Sequence, residues 1–207
     1  MSLASDLWAS NHDLAQACLE HPFVRGLANA TLPLERFGAY VAQDAYFLEA
    51  FARAYALGLA RSPDREGLEA FNALIGGVLE ELKLHAGYAQ RWGVDLASVV
   101  PAATTLAYTD FLLATAGLGT LGELCAALTP CMRLYAYLGQ SIVEIATPRA
   151  ANPFYDWIDT YSSAEFESLA TSLEDLLTRY AEDTPAVRTA YRRALQLELG
   201  FFEAHRP

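Results

Sequence analysis

The chain has 207 residues, enough for one large domain with a full hydrophobic core. Hydrophobic residues make up 53% of it and charged residues 19%, which excludes a disordered chain. Fourteen basic residues against twenty-five acidic ones give a formal net charge of -11. Lys83 is the only lysine, so nucleic acid and anionic membrane surfaces are disfavoured as partners.

Met1 to Asp6 lack the basic and apolar regions of a signal peptide. No apolar run is continuous enough to span a bilayer. Cys18, Cys125 and Cys131 are odd in number and lack metal-site spacing, which points to reduced thiols in a cytoplasm.

Helical periodicity dominates, and no segment alternates as a strand. A first helix is predicted from about Ser5 to Leu19, with Leu7, Leu14 and Cys18 inward. His21 and Pro22 break it, and Pro22 suits the first turn of a short helix to about Ala28. Pro33 opens a long helix to about Ala60. Its inward stripe holds Phe37, Val41, Asp44, Leu48, Phe51 and Tyr55. Asp44 thus falls in a core-facing slot, where a carboxylate is costly unless paired or protonated.

Ser62 and Pro63 start the next helix, to about Trp92, which Gly93 ends. Here Ile75, Val78, Leu82 and His85 share a stripe, and Glu81 stands four residues before His85. A carboxylate-bridged di-iron bundle needs Glu-x-x-His on two helices, and no such pair is present. His85 therefore reads as a satisfied core histidine, and no metal or other cofactor is expected. A helix from Pro101 to Thr115 is stopped by Gly117 and Gly119, with Thr104, Tyr108, Phe111 and Thr115 inward.

The apolar run Leu121 to Ala146 carries the strongest stripe, at positions 121, 124, 128, 131, 135, 138 and 142. Cys131 and Tyr135 lie on it one turn apart, so thiol and phenol point the same way. Pro130 sits inside the pattern, which predicts a kink and a carbonyl near Ala126 freed from its helical partner. Asn152 and Pro153 open a short helix to about Tyr161. Ser163 caps another to about Ala181. Thr184 and Pro185 open the last, to about Ala204, whose broad inner face holds Val187, Tyr191, Ala194, Leu195, Glu198, Phe201 and Phe202. With no repeat, low-complexity tract or linker, the chain reads as one all-α domain over residues 1–207.

A buried thiol, two carboxylates on apolar stripes and many aromatic rings suit a flat, nitrogen-rich ligand. Rings stack on its faces, while acids and phenols read its edge. Gly-rich phosphate loops and the serine-hydrolase and zinc-protease motifs are absent.

Five segments then carry a resemblance: His21–Pro33 (HPFVRGLANATLP), Tyr40–Phe47 (YVAQDAYF), Leu128–Tyr135 (LTPCMRLY), Asn152–Tyr161 (NPFYDWIDTY) and Glu198–Phe202 (ELGFF). Spread in order over nearly the whole chain, they resemble the TenA family, thiaminase II or aminopyrimidine aminohydrolase, in its cysteine-containing branch. The resemblance implies a haem-oxygenase-like helical bundle and a homotetramer acting on a small pyrimidine. It implies Cys131 as nucleophile with Asp44 and Glu198 as active-site acids. Tyr108, Tyr135 and Tyr161 match the family's pocket phenols, and Phe47 and Phe201 fall among the substrate-binding positions. Phe47 stands where some relatives have tyrosine, so one hydroxyl contact is missing here.

The expected reaction replaces the group on the exocyclic methylene of aminomethylpyrimidine or thiamin with hydroxyl, giving hydroxymethylpyrimidine. Two alternatives remain open on the sequence. One is a metal- or haem-dependent oxidase on the same fold, using His85 or His21. The other is a non-catalytic pyrimidine-binding or regulatory protein.

Overall fold

Proline and small polar residues set most of the helix starts, and the polar side chains take up amide groups that a helix N-terminus leaves without partners. In the computed structural model, which describes residues 2–207, Thr120 accepts from the Glu123 amide while Glu123 accepts from the Thr120 amide. This is a complete capping box. Asp64, Ser163 and Thr184 cap their helices through single acceptor contacts. Among the described residues there are ten α-helices, two single 3-10 turns and no strand.

The helices are α1 (Leu3–Ser10), α2 (His12–Glu20), α3 (Pro22–Ala28), α4 (Leu34–Arg61), α5 (Arg65–Trp92), α6 (Ala103–Leu118), α7 (Leu121–Ile142), α8 (Tyr155–Ser162), α9 (Ala164–Tyr180) and α10 (Pro185–Ala204). Most boundaries fall within about two residues of the sequence reading, with Asp64 rather than Ser62 capping α5, and three differ by more. The first helix is two, because Asn11 turns its side chain back onto the Leu7 carbonyl at 2.8 Å and competes with the helical ladder. Helix α6 runs through Gly117 and ends only at Gly119. Helix α7 stops at Ile142 rather than Ala146. Pro130 lies inside α7, and the Thr129 hydroxyl donates to the Cys125 carbonyl at 2.7 Å.

Helix α7 is the centre of the bundle. It packs against α4, α6, α8, α9 and α10, and it is buried nearly all round. Small residues make this possible. Gly122 meets the backbone at Tyr180 and Ala181, and Gly139 meets the backbone at Tyr161 and Ser162. Arg133, on the α7 side away from Cys131, forms paired hydrogen bonds to Glu174 (2.8 and 2.7 Å) and to Glu167 (both 2.9 Å). These four contacts tie α9 to α7.

The predicted stripes of α4 and α10 are all buried, Asp44 and Glu198 included. The α6 face is a correction. Thr105, Tyr108, Thr109, Leu112 and Ala116 face inward, while Thr104 is exposed and Phe111 and Thr115 are half-buried. Apolar residues occur all around this helix, so its sequence permits two adjacent stripes; both contain Tyr108.

Candidate active site

Five helices converge on a closed cavity of about 10 Å³, no more than one water molecule requires. Helix α4 supplies Asp44, Phe47, Leu48 and Phe51; α5 supplies Glu81; α7 supplies Cys131, Met132 and Tyr135. Tyr161 of α8 and Phe166 of α9 complete the wall. Of the residues expected from the sequence, Asp44, Phe47, Cys131, Tyr135 and Tyr161 therefore share one cavity. The other three sit just behind it. Glu198 accepts a 2.7 Å hydrogen bond from Tyr108, whose ring packs 4.7 Å from Phe47. Phe201 lies against Phe47 and Tyr40 rather than on the cavity surface. A surface depression of about 610 Å³ around Phe111, Leu118 and Arg193 touches none of these groups.

Helical spacing explains the convergence. Cys131 and Tyr135 are one turn apart on α7, and Asp44, Leu48 and Phe51 repeat at four and three on α4. Tyr135 and Tyr40 hydroxyls are 3.2 Å apart, and the Trp157 indole donates to Tyr40 at 3.3 Å. Tyr161 packs edge-on to Tyr135 at 4.7 Å and donates to the Glu81 carboxylate. Burial holds all these phenols well above their ordinary range, so they act as neutral donors.

The charges are unusual. Burial raises Glu198 to about 7, against hydrogen bonding from Tyr108 and the Cys131 thiol. Burial also raises Glu81 to about 7, in part offset by His85. The Cys131 thiol goes well above its ordinary value, first by burial and then by the surrounding carboxylates. His85 is the local cation. Its Nε2 is 2.7 Å from Asp44 Oδ2 and its Nδ1 is 2.9 Å from the Glu81 carbonyl. A backbone carbonyl can only accept, and so can an ionised carboxylate. The Glu81 carbonyl therefore accepts a hydrogen bond from a protonated Nδ1, while Nε2 faces the Asp44 carboxylate. Burial alone would lower the imidazole, but the Asp44 contact outweighs it and holds His85 at about 8.

Asp44, Glu81 and His85 each offer one ligand atom within 4.8 Å of the others, so this corner could hold a metal ion. Such an ion would have to displace the His85 proton and the Tyr161 hydroxyl. His21, the other histidine considered for metal or haem, accepts from the Phe23 amide at 3.2 Å and meets Glu203 at 2.9 Å, capping α3.

Sequence reasoning did not assign Glu81, Met132 and Phe166 to the site. The i, i+4 pair of Glu81 and His85 on α5 was a usable signal. Met132 and Phe166 read as ordinary core.

Residues 8–206 match the family described as TENA/THI-4/PQQC. The chain belongs to this family. The all-α bundle is its haem-oxygenase-like fold. An aminopyrimidine aminohydrolase from Halalkalibacterium halodurans is 37% identical, covering 88% of this chain and 83% of that protein. The mitochondrial bifunctional TH2 protein of Arabidopsis thaliana is 35% identical over 98% of this chain, which spans only 37% of that longer protein. The crystal structure of a TenA family transcription regulator from Silicibacter sp. TM1040 superposes with a TM-score of 0.89 at 30% identity, covering 97% of this chain and 95% of that one. No described helix is long and apolar enough to cross a membrane.

Proposed function

We propose that this chain is an aminopyrimidine aminohydrolase with thiaminase II activity, converting aminomethylpyrimidine or thiamin to hydroxymethylpyrimidine in thiamin salvage. The observation that carries this reading is the meeting of Cys131 with Asp44, Tyr135 and Tyr161 around one cavity, with Glu198 directly behind. The similarity to a protein named for this activity supports it.

The cavity chemistry suits thiol addition to an electron-poor ring. The Cys131 thiol is neutral at rest, so its proton must leave as the carbon–sulfur bond forms. Glu198, poised near neutrality beside it, takes that proton and passes it to a ring nitrogen. Sulfur thus bonds to the ring carbon beside the substituted one, and the nitrogen gains the proton. The nitrogen's electron pair then expels the group on the exocyclic methylene, as ammonia or as the thiazole. Water adds to the methylene and gives its extra proton to the released ammonia or to solvent. The ring nitrogen returns its proton through Glu198 to the sulfur, and the thiol departs. Asp44, held by the His85 imidazolium, accepts from the ring's amino group. Phe47 and the phenols stack and orient the ring.

A net charge of -11 with a single lysine disfavours direct DNA binding, so a regulatory role would have to run through another partner. The three buried free thiols suit a cytoplasmic setting. The family resemblance extends to a homotetramer, for which sedimentation at micromolar concentration is the direct measurement. The decisive experiment is steady-state turnover on aminomethylpyrimidine and thiamin, with C131S alongside. The variant is expected to bind pyrimidine and form no product. Undiminished turnover by C131S would rule out the covalent mechanism.

A further inference from the structure

A cavity of about 10 Å³ cannot hold a pyrimidine ring, so part of its wall must move before substrate enters. On the α5–α9 side lies a second space, a groove of about 410 Å³ lined by Leu74, Val78, Leu84 and Leu169. It reaches solvent past the exposed carboxylates Glu80 and Glu165. Three residues, Glu81, Met132 and Phe166, line both spaces. They are the partition between them.

The partition differs from the rest of the wall. Asp44 is bonded to His85, Tyr135 to Tyr40 and Tyr161 to Glu81, and Phe47, Leu48 and Phe51 face the core. Within the partition, Glu81 is held by Tyr161. Phe166 and Met132 have no polar tether. Phe166 is 8% exposed and packs edge-on against one ring, Tyr161, at 4.8 Å. Met132 is a flexible thioether. The backbone beneath Phe166 is anchored instead. Its amide bonds to Ser163, and the Arg133 pairs hold α9 in place. The ring can therefore rotate into the groove while the helix stays where it is.

We propose that Phe166 is the specificity-determining wall of the site: its ring, with Met132, turns into the α5–α9 groove to admit a flat heteroaromatic ring, and the groove then holds the group carried on the exocyclic methylene. The acidic rim made by Glu80 and Glu165 fits a leaving group that is positively charged, an alkylammonium or an azolium ring. This rests on the pyrimidine reading for the identity of the substrate, but the gate itself does not.

The test separates the two. In the full chain, F166A and F166W are compared with wild type for the rate at which N-ethylmaleimide and the bulkier pyrenylmaleimide modify Cys131, read by peptide mass spectrometry. The ratio of kcat/KM for thiamin over aminomethylpyrimidine is measured in parallel. F166A is expected to raise labelling by the bulky reagent about tenfold, by raising the open fraction, and to shift the substrate ratio toward thiamin. F166W is expected to move both the other way, and it carries the test alone if F166A does not fold. L118A, at the depression beside α6 and α10, should change neither. Unaltered Cys131 labelling in both Phe166 variants would overturn the gate. Altered labelling with an unaltered substrate ratio would overturn the groove as the leaving-group compartment. Altered labelling with no turnover of either compound by any form would sustain the gate and refute the pyrimidine reading.

Discussion

Cys131 occupies a place that resists its own ionisation. Burial and three carboxylates, those of Glu198, Glu81 and Asp44, all disfavour the thiolate, so nucleophilicity depends on moving the proton rather than storing the charge. Glu198 is the group matched to that task, because burial raises it to about 7 while the Tyr108 hydroxyl holds it down. Removing the hydroxyl leaves the carboxylate with one donor fewer. In Y108F, the Glu198 pKa should therefore rise, and the acidic limb of kcat against pH should move upward from about 7 by roughly one unit. A pH-rate profile of Y108F superimposable on wild type would remove Glu198 from the role of proton acceptor. Cys131, Asp44 and Glu198 were legible as stripe positions in the sequence, and Glu81 was not. Nor was the His85 imidazolium, because its charge comes from Asp44 on another helix.

Helix α7 shows how an element positions the site. Gly139 lies one turn beyond Tyr135, where α8 crosses close enough for a Cβ to meet the Ser162 amide at 2.6 Å. That close approach lets Tyr161 stand over Tyr135. Gly122, near the other end of α7, makes the equivalent approach to Ala181 Cα and the Tyr180 carbonyl, both at 2.6 Å. The obstacles are backbone atoms, which no rotamer change can clear. Both G139A and G122A should lose about 2–4 kcal/mol of stability, measured by urea unfolding. Only G139A should also raise KM for the pyrimidine, since it displaces Tyr161. Equal catalytic effects from the two would mean that Tyr161 placement does not depend on this crossing. The glycines were visible in the sequence, but the helices they meet were not.

The whole molecule carries a stability cost for its site. Glu81 and Glu198 ordinarily titrate near 4.5, and in the fold near 7. Between those values the folded chain keeps protons that the unfolded chain has released, so stability falls as pH rises. His85, raised from 6.5 to about 8, acts in the same direction: its contribution is complete below 6.5 and is lost as pH rises through 8. His205 opposes them. Burial lowers it to about 4, and its contribution is lost as pH falls from 6.5 toward that value. The two carboxyls outnumber it. The thermal midpoint should therefore fall from about pH 5.5 to about pH 8, and E198Q should recover part of the loss at pH 8 with little effect at pH 5.5. An E198Q midpoint no higher than wild type at pH 8 would show that the carboxylate is not costly there.

Local periodicity determined the all-helical architecture, the burial of Asp44, Cys131 and Glu198, and the pairing of Cys131 with Tyr135 on one face. These are one-helix properties, set by the 3.6-residue turn and the cost of exposing apolar side chains. It could not determine which faces meet. On α6, adjacent apolar stripes were equally permitted, and contact with the rest of the bundle chose the one that buries Leu112. Only the tertiary structure made Asp44 and His85 an ion pair, gave Glu81 a phenol partner, closed the cavity and placed Phe166 between it and the groove. Each of these joins side chains at least 30 residues apart in the chain, and such contacts are fixed by how helices cross, which no single stripe encodes.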